Sequence, residues 1–276
     1  MCPEEKRSAT PPFLQTMKAT KSIEVGGRPV AGGATPAICT PLVGRTREDV
    51  LAELAAVLPK QPDVIEWRVD FFSGIGDTTL VIETARALKA GAQGIPILFT
   101  RRSATEGGER VGLAEAAVVD LYAAVCAARC VDLIDYELSN PDEAFRRLRA
   151  VSREHAIAMI GSYHNFQATP DAQTLVAKFR DAQARGADIG KVAVMPKEPK
   201  DVLTLLAATC DATQSLDIPL ISMSMGGYGS VSRMVGGVFG SALTFAVGKS
   251  SSAPGQIPIE ELRAVLATVR RATGTA

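Results

Sequence analysis

Ile189-Gly190-Lys191-Val192-Ala193-Val194-Met195-Pro196 is a short, largely β-branched run closed by a proline, the pattern of a buried strand, with one lysine set into it. Side chains alternate along a strand, so Lys191 shares a face with Ala193 and Met195, while Val192 and Val194 take the other. If both faces are covered, an amine lies inside a core, where a cation is costly unless it is paired or neutralised. Burial favours the neutral amine, the form that attacks a carbonyl. A lysine at a wet strand end that snorkels to water fits the same eight residues. The other strands choose between the two readings.

On both sides of this stretch one alternation recurs: short apolar run, turn, helical spacing, turn. Strands are expected at 37–42, 64–70, 96–102, 131–138, 156–164, around Lys191, at 219–226 and at 243–248. Helices are expected at 47–58, 78–90, 113–128, 141–154, 171–185, from 200 through 209, from Ser232 onward and at 260–272. Eight strand–helix units in ~240 residues fit a (β/α)8 TIM barrel. No G-x-G-x-x-G follows the first strand, as a doubly wound dinucleotide-binding sheet requires. Without an internal repeat or linker, residues 21–276 read as one catalytic domain. Residues 21–30 alternate around Gly26-Gly27 like a small hairpin that closes one end. Residues 1–20, with Pro3, Pro11 and Pro12 and no apolar core segment, read as a flexible extension rather than a secretory signal.

The chain carries 30 basic and 30 acidic residues, and this balance points to neither nucleic acid nor an anionic membrane. Its apolar runs are too short to span a bilayer. The five cysteines form no C-x-x-C and the histidines number two, so no metal site is expected. Free thiols in a reducing, cytoplasmic setting are the simplest reading.

Counting by twos along each expected strand places the polar residues. Glu66, Arg68 and Asp70 share one face, opposite Ile65, Trp67 and Val69. Thr100 aligns with Arg102, Asp135 with Glu137, Ser162 with His164, and Met223 with Met225. The apolar sets would pack against helices, turning the polar sets into the barrel near the C-terminal strand ends, where barrel active sites are built. Taken singly, Asp70 and Arg101 read as solvated strand ends, and Glu66 with Arg68 as a structural ion pair. Together, Lys, His, Glu and Arg without a metal set suggest covalent amine catalysis on a hydroxylated, anionic small molecule.

With those residues assembled, the chain resembles the type I 3-dehydroquinate dehydratases from about Ser22 onward. The resemblance rests on Glu66-Trp67-Arg68-Val69-Asp70, on the run Arg102-Ser103-Ala104-Thr105-Glu106-Gly107-Gly108, and on His164-Asn165-Phe166 ahead of Thr169-Pro170. It continues through Lys191 to Pro196, Met223-Ser224-Met225-Gly226, Ser232-Arg233 and the segment Ser252-Ala253-Pro254-Gly255-Gln256-Ile257. It implies a cofactor-free syn elimination of water from 3-dehydroquinate, giving 3-dehydroshikimate in the shikimate pathway. Under it, Lys191 forms a Schiff base with the C3 ketone, and His164 serves as general base and then acid. Glu106 acts with that histidine, and Asp135 is a supporting carboxylate that holds the imidazole tautomer. Arg233 clamps the substrate carboxylate, while Glu66, Arg68, Arg102, Ser252 and Gln256 bind ring hydroxyls and carboxylate. Met223, Met225 and Phe166 form apolar walls, 252–256 is a closing loop, and a homodimer is implied. Two positions depart from the family pattern: Pro41 stands where a small hydroxyl residue is expected, and 226–230 is glycine-rich where charge is common. A non-catalytic sensor of the same metabolites and a lysine-dependent aldolase are the competing readings. The intact Lys191, His164 and Glu106 weigh against the first. The Glu66–Arg68 and Ser252–Gln256 motifs weigh against the second.

Overall fold

The computed structural model describes residues 21–274 apart from 26, 33 and 34. The expected extension, 1–20, lies outside the described residues. Eight parallel strands run β3 (Ala37–Leu42), β4 (Val64–Arg68), β5 (Ile97–Thr100), β6 (Leu133–Glu137), β7 (Ala158–Asn165), β8 (Ile189–Val194), β9 (Leu220–Ser224) and β10 (Leu243–Val247). Each is followed by a helix: α1 (Arg47–Val57), α2 (Thr78–Gly91), α3 (Glu115–Ala127), α4 (Asp142–Glu154), α5 (Ala172–Ala184), α6 (Pro199–Ser215), α7 (Gly226–Val235) and α8 (Ile259–Thr273). The order β10-β3-β4-β5-β6-β7-β8-β9 closes through a parallel bridge between Leu220 and Ser241, giving a (β/α)8 barrel. Local sequence starts several helices. Thr46 and Asp49 cap α1 reciprocally, and the side chains of Asp77 and Asp171 accept N–H groups at the starts of α2 and α5.

The period of two sorts the core as expected. Ile65, Trp67, Ile97, Phe99, Ile134 and Tyr136 face the helix layer, and Val192 and Val194 pack toward α5 and α6. Inside the barrel, Cys39, Val64, Leu98, Leu133, Ile160, Ile189, Ile221 and Leu243 meet in one buried cluster. Burying each large aliphatic contributes about 1.5–3 kcal/mol. Strands β1 (Ile23–Val25) and β2 (Arg28–Ala31) form the antiparallel hairpin, and Val30 and Ala31 join that inner cluster. The inner apolar residues come from the N-terminal parts of the strands, so the hairpin plugs the end opposite the polar mouth.

Several element ends differ from expectation by a residue or more. β4 stops at Arg68, and a 3-10 turn, Val69–Phe71, follows. Helix α6, whose expected beginning is 200–209, runs on to Ser215, with Ala212 buried on the apolar face. Helix α7 begins at Gly226 rather than Ser232, so the expected glycine-rich loop is its first part. Glycines disfavour helix, but Gly229 permits close packing: a Cβ there would lie 2.3 Å from the Ser224 carbonyl oxygen. The Ser232 hydroxyl donates to Gly229 O at 2.7 Å and accepts from Ser224 N–H at 2.9 Å, tying α7 to β9.

Candidate active site

Lys191 projects into the barrel from β8, with 4% of its side chain exposed. The strand-end snorkelling alternative is therefore wrong for this lysine. Its Nζ lies 2.8 Å from Asp135 Oδ2 and 4.7 Å from the centroid of the Phe245 ring. Register places it there: Lys191 stands beside Ser162 of β7, and Ser162 stands beside Glu137 of β6. Asp135 is fully buried and also accepts from Arg102 Nη2 at 2.7 Å and from the Ser162 hydroxyl at 2.6 Å. Burial alone would raise its proton affinity. The Arg102 guanidinium and the Lys191 ammonium outweigh that and hold its carboxyl well below the usual carboxylate range.

Glu106 ends a 3-10 turn, Ala104–Glu106, just beyond β5. Its Oε2 lies 2.9 Å from His164 Nδ1 and accepts the His164 backbone N–H at 2.9 Å, while its Oε1 accepts the Ser139 hydroxyl at 2.7 Å. Burial and the nearby Glu137 charge push the Glu106 carboxyl up to about 7. Burial, reinforced by Arg102 and Lys191, pulls His164 well below the ordinary imidazole range, so the ring is neutral at physiological pH. Of the two carboxylates expected to serve this histidine, Glu106 touches the ring and Asp135 does not. Asp135, expected to hold the imidazole tautomer, hydrogen bonds Lys191, Arg102 and Ser162 instead. The carboxylate on Nδ1 is Glu106.

A mouth-side cavity is lined by Glu66, Arg68, Arg102, Glu106, His164, Phe166, Lys191, Met223, Met225, Arg233, Ser252 and Gln256. These are the residues expected to meet the substrate, gathered from β4 around to the loop after β10. Some are already engaged. Glu66 accepts the Thr100 hydroxyl at 2.9 Å, and Arg68 is clamped bidentately by Asp70 at 2.9 and 2.8 Å. Asp70 and Arg101, which taken singly read as solvated strand ends, are both tied down. Asp70 is buried and also accepts the Arg102 and Glu109 backbone N–H groups, while Arg101 pairs with Glu115. Pro41 stands beside Glu66 in the β3–β4 register.

Arg233 reaches in from α7 where β9 and β10 meet. It donates to Phe245 O at 3.4 Å and to Pro254 O at 3.2 Å, and its Nε has no hydrogen-bond partner among the described residues. Burial pulls the guanidinium down to about 10, which still leaves it charged at neutral pH. Gln256 Oε1 accepts the Ser252 N–H at 3.1 Å, closing the 252–256 loop on itself. Gly255 holds φ +77°, and a Cβ there would lie 2.3 Å from Gly226 O, so this loop rests backbone to backbone on the start of α7.

Four contributors were not singled out from sequence. Phe245 lies under the amine, Ser139 and Ser162 supply hydroxyls to the carboxylates, and Glu137 accepts from Arg102 Nη1 at 2.9 Å and from Ser103 N–H at 2.7 Å. Ser162 and Glu137 stood on the inward faces already counted. Ser139 lies past a strand end, where that count stops.

Fold and pocket define a class: (β/α)8 barrels with a buried strand amine in a mouth-side cavity lined by charged residues. The type I 3-dehydroquinase family model matches residues 38–273, and the chain belongs to that family. A 3-dehydroquinate dehydratase from Albidiferax ferrireducens is 57% identical over 258 residues, covering 94% of this chain and 98% of the relative. The crystal structure of 3-dehydroquinate dehydratase from Geobacillus kaustophilus superposes with a TM-score of 0.90 at 48% identity, covering 92% of this chain and 98% of that one. A type I enzyme from Clostridium difficile, solved with covalently modified comenic acid, gives 0.87 at 38% identity, covering 92% and 99%.

Proposed function

We propose that this chain dehydrates 3-dehydroquinate to 3-dehydroshikimate through an imine on Lys191, with His164 carrying the proton. Family membership makes it a 3-dehydroquinate dehydratase, a carbon–oxygen hydro-lyase. The observation that carries the mechanistic reading is the buried Lys191 amine at the cavity floor, with a neutral imidazole on the same wall.

The substrate carboxylate meets Arg233, whose planar fork suits bidentate binding and whose Nε is unpartnered among the described residues. Lys191 Nζ, having released a proton, adds to the C3 carbonyl, and loss of water leaves a protonated imine. This cation draws electrons from the C2–H bond. His164 takes the C2 proton, and the electron pair passes into the C–N system as an enamine. As the pair returns to form the C1–C2 double bond, the C1 hydroxyl departs with the proton that His164 gives back. Water then hydrolyses the imine, releasing product and restoring the amine. One water is consumed and two are released, so the net reaction is loss of one water. Throughout, Glu106 holds Nδ1 so that Nε2 is free to exchange the proton, and it stabilises the imidazolium when it forms. Asp135 and Arg102 keep a charged environment ready for the iminium, while Met223, Met225 and Phe166 limit access of water to it.

The reading includes a cytoplasmic homodimer. The free thiols of Cys39, Cys126, Cys130 and Cys210 support a reducing setting. Among the described residues no helix is long and apolar enough to cross a membrane. Leu203, Tyr228 and Val231 are exposed apolar side chains on α6 and α7 that suit a contact between copies, and sedimentation analysis reads the stoichiometry. The mechanistic test uses two variants. Lys191→Ala loses turnover and any covalent adduct while keeping its fold, and His164→Ala accumulates the imine without eliminating water. Substantial turnover in Lys191→Ala, or no adduct in His164→Ala, contradicts the scheme.

A further inference from the structure

Arg102 is one guanidinium among three carboxylates. It lies 2.7 Å from Asp135 and 2.9 Å from Glu137, but only 3.8 Å from Glu106. Its charge is thus committed to the first two, and Glu106 receives the remainder. Glu137 is almost fully buried, is absent from the cavity wall, and has no place in the reaction scheme. The same oxygen that binds Arg102, Oε1, also accepts the Ser103 N–H. Ser103 immediately precedes the Ala104–Glu106 turn, and Ser103 O accepts the Glu106 N–H at 3.0 Å. One carboxylate therefore both anchors the turn that carries Glu106 and competes with it for the guanidinium.

We propose that Glu137 is a positioning residue whose negative charge sets the pH at which the Glu106–His164 couple changes protonation. This rests on the reading of Glu106 and His164 as the acid–base couple. Other charged groups around the cluster have hydrogen-bond partners of their own. From β4, Arg68 is held by Asp70, which also takes the Arg102 N–H. From β8, Lys191 is held by Asp135 of β6. Glu66, facing in from β4, takes the Thr100 hydroxyl. Glu137 is the anion that faces Glu106 with its cation already shared. It is the largest charged influence raising the Glu106 carboxyl, which reaches about 7. Below that pH the imidazolium formed during turnover loses its anionic partner, so activity falls on the acid side. Glu137 places that fall near neutrality.

The test is the pH dependence of kcat in Glu137→Gln, which keeps the acceptor for Ser103 N–H and Arg102 while removing the charge. The acid limb moves down by about one pH unit, so the ratio of kcat near pH 6 to kcat near pH 8 rises several-fold. Glu137→Asp, which keeps the charge, leaves the limb near its wild-type place. A folded, active Glu137→Gln whose limb has not moved overturns the proposal. Glu106→Gln run in parallel separates the two readings. If it keeps the wild-type limb, the acid–base reading of Glu106 fails. If it loses the limb while Glu137→Gln retains it, only the role of Glu137 fails. Should Glu137→Gln not fold, carbon-13 NMR of the wild-type glutamate carboxyls decides. A single titrating carboxyl near neutrality, absent in Glu106→Gln and sensed by Glu137 as a small shift, supports the proposal. A Glu137 carboxyl that takes up the proton itself overturns it.

Discussion

Glu106 grips His164 at two points through one oxygen: Oε2 lies 2.9 Å from the ring Nδ1 and 2.9 Å from the backbone nitrogen. The contact spans 58 residues and reaches from the turn after β5, past β6, to the end of β7. It fixes ring and strand together, so the distal ring nitrogen faces the cavity in one orientation.

Replacing Asp135 tests the ion pair beneath the amine. Asp135→Asn leaves Lys191 and Arg102 facing a neutral amide, and we expect a loss of about 3–5 kcal/mol in urea unfolding at neutral pH. The sign with pH follows from linkage. Asp135 has a lowered native proton affinity, so its contribution is fully present above the unfolded value of about 3.9 and fades as pH falls below it. The gap between wild type and variant should narrow by about 1.4 kcal/mol per pH unit below ~4. A gap that stays constant on acidification contradicts the assignment.

Arg233→Lys keeps the positive charge and loses the fork. The ammonium cannot reach Phe245 O and Pro254 O while also pairing with a carboxylate. KM for 3-dehydroquinate should rise about tenfold or more, with a smaller fall in kcat. Steady-state kinetics with unchanged KM would remove Arg233 from the carboxylate site.

The closing loop has a backbone-level test in Gly255→Ala. The new methyl meets Gly226 O, and the left-handed φ disfavours it further. The loop must lift, so KM rises several-fold while stability changes by only about 1 kcal/mol. Wild-type kinetics in this variant would show that the loop contact is dispensable.

Val30→Ala acts at the opposite end. Val30 is fully buried in the inner cluster under the barrel, so truncation should cost about 1–3 kcal/mol and leave kcat and KM unchanged. A large kinetic effect would mean that the hairpin communicates with the mouth.

These contrasts also mark how far sequence reasoning reaches. The barrel was legible because the β/α alternation is local, and the inward polar face because the strand period is two. Lys191, Glu66, Arg68, Asp135 and His164 all lie on regular strands where that count holds. It fails where the chain leaves a strand. Asp70 looked solvated because the count cannot foresee the Val69–Phe71 turn that folds it back under Arg68. Strand counting by itself does not tell which carboxylate meets the imidazole, since a turn rather than a strand aims Glu106. Helix α7 starts six residues before the position its sequence suggests, because its glycines lower local propensity, and packing against Ser224 accounts for Gly229.

The most direct test of the central claim is borohydride reduction of the wild-type protein in the presence of 3-dehydroquinate, followed by peptide mass mapping. The account predicts a single adduct, of substrate or product, on Lys191. An adduct on another lysine, or none from folded and active protein, contradicts it.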